Sequence, residues 1–125
     1  MADLVHKELS YQITGILFKV QGELGGGYQE KYYQKAIALE LKSNNIEFKE
    51  QVLVNLQYGG QNIGRYYIDF LIDNKIVLEI KANHVFYNRD VKQILAYLKT
   101  TGFNLGILAG FGKYDLKFKR ILKGS

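Results

Sequence analysis

The first part of the chain repeats its apolar residues at helical spacing. From Leu4 to Val20, LVHKELSYQITGILFKV carries Leu9, Ile13, Ile16, Leu17 and Val20 on one face, which predicts a helix. GELGGGYQ breaks it around Gly25, Gly26 and Gly27. A second helix is predicted from about Gln29 to Ser43, with Tyr33, Ile37 and Leu41 on one face and Ala36 and Leu39 beside it. SNN ends it. The period then shortens to two. EFKEQVLVNLQY alternates from Val52 to Tyr58, and Gly59 to Gln61 reads as a turn. GRYYIDFLI and KIVLEIKA are two further strands joined by DNK. NRDVKQILAYLKTTG returns to helical spacing, with Asn88 as N-cap, a stripe of Val91, Ile94, Leu95 and Leu98, and Gly102 as the stop. NLGILAGF is a short apolar strand, and LKFKRIL alternates as a last edge strand. The order α-α-β-β-β-α-β-β predicts an α/β fold: a single mixed β-sheet flanked by helices, with a right-handed parallel crossover around Ile76 to Phe111.

The middle hairpin contains charges where buried sheet is expected. An unpaired charge is costly to bury, so the register of DFLIDNKIVLEIK matters. A two-residue turn would set Asp69 against Leu78 and Ile68 against Glu79. A three-residue loop, Asp73-Asn74-Lys75, instead sets Ile72, Phe70 and Ile68 against Ile76, Leu78 and Ile80, an apolar face. On the other face Leu71 meets Val77, Asp69 meets Glu79, and Tyr67 meets Lys81. One residue of slip would move every side chain to the other face, so the second register is preferred. It leaves two carboxylates roughly 4.5–5.5 Å apart at Cβ. Such a pair persists when a cation sits between the acids or a proton is shared. The plainer reading is a salt bridge from Lys81 to one of them.

Bulk properties narrow the setting. A chain of 125 residues reads as one domain, residues 1–125, large enough for a real core. It has no cysteine, which excludes disulfides and thiolate metal sites. No N-terminal apolar run resembles a signal peptide, and none approaches the ~18 residues of a membrane span, so a soluble, cytoplasmic protein is expected. The net charge of +5 is either a solubility charge or an attraction to a polyanion such as nucleic acid. Lys113, Lys117, Lys119, Arg120 and Lys123 crowd the last stretch.

The spacing Asp69-(x9)-Glu79-Ile80-Lys81 resembles the PD-(D/E)XK nuclease signature, with Ile68 where a proline often stands. More closely, the chain resembles the GxxExxY family assigned to that superfamily. The naming motif is Gly27-Tyr28-Gln29-Glu30-Lys31-Tyr32-Tyr33, and the likeness runs from about His6 to Leu122. It takes in ALEL, QYGGQNIGRYYIDFLID, LEIKA, QILAYLKTTGFNLGIL and KRIL. The chain departs from the family where Val20-Gln21 replaces a Val-His and where Gly110 precedes Phe111 in place of an asparagine.

The resemblance implies metal-dependent hydrolysis of phosphodiester bonds in DNA or RNA, with Mg²⁺ or Mn²⁺ as cofactor. Asp69, Glu79 and the Ile80 carbonyl would hold the cation, since hard divalent ions take oxygen ligands. Lys81 would stabilise the attacking water or the phosphate. Glu30, in the first turn of the second helix, would complete the site; taken alone it is an acid suited to a helix N-terminus. Gln93 and Tyr97, at i and i+4, project together. Gln93 would orient Lys81 or the water, and Tyr97 would touch the phosphate; otherwise they are a boundary polar pair. Lys117, Lys119 and Arg120 are candidates for binding nucleic acid. His84 could approach substrate, and Glu50 could be a further acid. Nothing beyond the minimal fold grips a duplex, which points to a homodimer or a partner. The rival readings are a non-catalytic nucleic-acid or protein interaction module on the same fold, and a purely structural charge network.

Overall fold

The computed structural model describes residues 5–124. Three helices and five strands follow in the expected order: α1 (Lys7–Leu24), α2 (Glu30–Ser43), β1 (Phe48–Tyr58), β2 (Gln61–Ile72), β3 (Ile76–Lys81), α3 (Asn88–Thr101), β4 (Leu105–Phe111) and β5 (Leu116–Leu122). Leu4, the expected start of the first helix, lies outside the described residues. The five strands form one sheet in sequence order, antiparallel except for β3 and β4, which run parallel through the α3 crossover. Among the described residues no helix is long and apolar enough to cross a membrane.

Both faces of the sheet are covered. α1 and α2 bury Ile13, Leu17, Tyr33, Ile37 and Leu41 against Phe70, Ile72, Ile76, Leu78, Ile80, Ile107 and Phe111. On the other face α3 buries Ile94, Tyr97 and Leu98 against Leu71, Val77, Leu108 and Ile121. The α3 N-cap is Tyr87 rather than Asn88: the Asp90 carboxylate accepts the Tyr87 N–H at 2.9 Å, a job a first-turn acid does well.

The hairpin has the three-residue loop, with Ile72 opposite Ile76, Leu71 opposite Val77 and Phe70 opposite Leu78. Asp73 and Asn74 turn it in left-handed conformations, which such residues tolerate. The ladder then stops. The expected pairs Asp69–Glu79, Ile68–Ile80 and Tyr67–Lys81 do not form in the ladder, because the β1–β2 ribbon turns over at this point. Phe48, Phe70 and Ile72 face α1 and α2. Val52, Val54, Tyr66 and Ile68 face α3, although they have the same parity. The switch falls at Gln51, which has φ 51°, and at Asp69, which would be its partner; neither is paired between strands. Ile68 therefore leaves the apolar face that spacing alone assigns to it.

Arg120 ties the last strand to the first helix. Its guanidinium donates to the Val5 carbonyl at 2.6 Å and to Ser10 Oγ at 3.2 Å. Arg120→Ala leaves the Val5 carbonyl and Ser10 without these donors and should cost about 1–2 kcal/mol. Thermal melting at matched pH checks this; an unchanged midpoint would mean that α1 docks without the tether.

Candidate active site

The site begins where the β2–β3 ladder ends. Freed from strand pairing, two backbone N–H groups are taken by the acids. Ile80 N–H donates to Asp69 Oδ2 at 2.8 Å, and Asp69 N–H donates to Glu79 Oε1 at 3.1 Å. Each carboxylate is thus aimed by the strand that carries its opponent. Within a strand residue the N–H and C=O point to the same side. Hence the Ile80 carbonyl also lies on the Asp69 side, away from β4.

Both acids are half-buried and repel each other. Burial raises Asp69 above its ordinary range, with the nearby Glu30 charge adding to the rise, while the Ile80 N–H opposes it. The Gln51 side chain also opposes it, so the residue at the ribbon's turnover reaches the site. Burial pushes Glu79 up to about 8, and the Asp69 charge adds to this. Both carboxyls are raised, so the pair favours holding one proton between them.

Lys81 does not bridge to either acid. Its ammonium pairs with Asp90 Oδ1 at 3.3 Å, and Asp90 is only 6% exposed. The expected Lys81–Asp69 or Lys81–Glu79 bridge is replaced by a contact to α3. Gln93 Nε2 donates to Tyr97 Oη at 2.6 Å, as the i, i+4 spacing predicts. Gln93 makes this bond rather than one to Lys81. Tyr97 is fully buried, so it cannot touch a phosphate. Burial raises its hydroxyl well above the ordinary value, and the Glu79 charge raises it further. Tyr97 therefore stands beside the acids as a neutral hydroxyl.

Glu30 is exposed at the first position of α2, and its charge is felt at Asp69. The neighbouring motif residues explain its placement. Tyr33 is fully buried, stacks on Phe111 at 4.3 Å and donates to the Gly25 carbonyl at 2.7 Å. Gly26 packs so closely on Gly112 and Lys113 that no side chain fits there. The glycine run is a tight connection that pins the start of α2 to the end of β4. Glu30 acts from a distance: among the described residues no three His, Cys, Asp or Glu side chains gather as a metal cluster.

The donors nevertheless fit a hydrated hard cation. Mg²⁺ keeps several waters and is held by one or two carboxylates. Two opposed, desolvated carboxylates and a backbone carbonyl meet that need, and a cation would relieve the repulsion that now retains a proton.

Other expected residues fall elsewhere. Arg120 is engaged with α1. Lys117 lies over the Phe86 ring at 5.1 Å, and Lys119 is exposed on the same edge strand. His84 pairs with Asp115 at 3.5 Å, and Glu50 is exposed. Two site residues were missed by sequence reasoning. Asp90 could be suspected from its first-turn position in α3; Gln51 carries no signal.

A sequence model of the PD-(D/E)XK nuclease superfamily matches residues 7–121. A crystal structure of SSO0001 is similar in fold, with a TM-score of 0.51 at 18% identity, covering 92% of this chain and 77% of that one. No curated protein sequence matches the chain significantly.

The charge pattern predicts a pH dependence. Glu79 is ionised above about 4.5 when unfolded but only above about 8 when folded. Between those values the folded state binds more protons, so this group makes stability fall as pH rises, with no further loss above pH 8. Melting of the metal-free protein from pH 5 to 9 should show this loss. Glu79→Gln should flatten it and melt several degrees higher at pH 8. Parallel curves for the two proteins would sink the shared-proton assignment.

Proposed function

Because the chain belongs to the PD-(D/E)XK nuclease superfamily, we propose that it is a metal-dependent nuclease that hydrolyses phosphodiester bonds in DNA or RNA. The observation that carries this reading is the pair Asp69 and Glu79, each aimed by the opposite strand, with Lys81 one strand step beyond. Nucleases of this superfamily generally use divalent metal ions; Mg²⁺ or Mn²⁺ suits the oxygen donors here. The motif from Gly27 to Tyr33 supports a place among the GxxExxY proteins.

Asp69, Glu79 and the Ile80 carbonyl would hold the cation. When bound, it would supply an acidified water and neutralise charge on the scissile phosphate. For Asp69 and Glu79 to bind it, the shared proton must leave, so loading should strengthen as pH rises toward 8. Lys81 has three N–H donors, and its ammonium is steered toward Asp90 by an ion pair. Donors remain for the attacking water and a phosphate oxygen. Asp90 sets the ammonium's position and holds it off the acids. Gln93 fixes the Tyr97 hydroxyl, and that hydroxyl keeps a neutral dipole against the acid pair. Glu30, whose charge is felt at Asp69, would act on the cation through water.

Lys81→Met separates a nuclease from a binding module on the same fold. It removes the charge and keeps most of the stem. The variant should still bind Mn²⁺ by calorimetry, while Asp69→Ala should not. Cleavage of labelled DNA and RNA should fall roughly a hundred- to a thousand-fold, the scale for one preorganised donor. Equal, EDTA-sensitive cleavage by wild type and Lys81→Met would remove Lys81 from the chemistry. Absence of cleavage by wild type with Mg²⁺ or Mn²⁺ on every substrate would favour the binding module.

A further inference from the structure

A cavity of about 410 Å³ opens between the first turns of α3 and the β1–β2 ribbon. Lys81, Arg89, Asp90, Lys92 and Gln93 line it, and Tyr66 supplies the wall from β2. Its size is that of a small-molecule site, but its lining is mostly charged. Three cations face one carboxylate. That carboxylate, Asp90, is buried and already bound by the Tyr87 N–H and by Lys81. Arg89 and Lys92 form no ion pair with a carboxylate among the described residues. They lie one turn apart on α3, on the face they share with Gln93 and Ala96. The Arg89 guanidinium rests over the exposed Tyr87 ring at 4.6 Å, which holds it at the rim.

The geometry points to this cavity as the seat of the nucleic-acid strand beside the scissile bond. A flanking phosphate lies between Arg89 and Lys92, and its sugar or base lies against Tyr66. The inference rests on the nuclease reading for the position of the reacting phosphate at Lys81. Lys81 lines both the cavity and the candidate catalytic site, so a strand placed at one continues into the other. The edge strand β5 is a poorer seat. Arg120 is held by Val5 and Ser10, and Lys117 and Lys119 do not line the cavity that Lys81 shares with Arg89 and Lys92. Two unpaired cations beside an aromatic wall are what a phosphodiester strand recruits, since phosphate contacts give affinity and an aromatic face accepts any base.

The test is fluorescence anisotropy with short labelled DNA and RNA, single-stranded and duplex, titrated across salt concentrations in EDTA. Arg89→Ala/Lys92→Ala should weaken binding at least tenfold and flatten the log K against log salt slope by about 1.5 to 2. Both side chains are exposed, so the variant should melt as wild type does. Lys117→Ala/Lys119→Ala should change the slope by less. An unchanged slope for Arg89→Ala/Lys92→Ala, or a larger change for the β5 variant, overturns the assignment. So does a wild type that binds none of these DNA or RNA probes. The assay needs no chemistry. Binding of the expected kind with no Mg²⁺- or Mn²⁺-dependent cleavage of any DNA or RNA substrate would sustain the cavity as a strand seat and end the nuclease reading, while cleavage with an unchanged slope would do the reverse.

Discussion

Two carboxylates set against each other at the end of a strand pair govern this molecule. A β-ladder that continued past Phe70 and Leu78 would satisfy its own backbone and leave Asp69 and Glu79 as facing charges. Here the ladder stops, and the acids take the backbone groups it releases. The exchange is reciprocal, because each strand donates an N–H to the other strand's acid. Removing either acid therefore does two things at once: it leaves a half-buried donor unmet and it relieves a repulsion. The net sign depends on pH, since the proton held by the pair decides how much repulsion there is to relieve.

α3 keeps the lysine from bridging to the acids, although its charge still works against the rise at Glu79. Had Lys81 bridged to Glu79, the pair would be a neutral structural bridge with little reason to recruit a cation. Asp90 draws the ammonium away and is itself fixed by capping the helix. One buried carboxylate thereby joins the start of α3 to the end of β3. It also leaves the acid pair short of positive charge.

The element order and hairpin loop were legible because their signals are local. A three-residue loop and a period-two apolar face agree on one register, and the structure has it from Ile72 to Phe70. The same reasoning failed two residues later, at Ile68. A period-two rule assumes an unbroken pleat, and a left-handed Gln51 in the neighbouring strand breaks it. No glycine or proline marks that position. The pairing of Lys81 was also hidden. Asp90 reads as an ordinary first-turn acid, and nothing local says that its far oxygen reaches another element. Tyr97 was placed correctly beside Gln93 but given too exposed a role, because helical spacing fixes neighbours on a helix and not the depth of the sheet beneath. Arg120 looked like part of a basic run; its partners stand over a hundred residues away.

The turnover at Gln51 and Asp69 also explains why the site is where it is. Over most of the sheet a side chain belongs to one face, to α1 and α2 or to α3. A site fed from both faces needs a place where the sheet does not separate them. That place exists where the β1–β2 ribbon rolls over and the β2–β3 ladder opens. Asp69 sits at this crossing and feels Glu30 from α2, while Glu79 beside it acts on Tyr97 of α3. A regular five-stranded sheet with the same residues would put both acids on the α3 face, out of reach of α2. The broken pleat lets two helical layers address one pair of oxygens, and its local cost is confined to one left-handed residue and a few unformed ladder bonds.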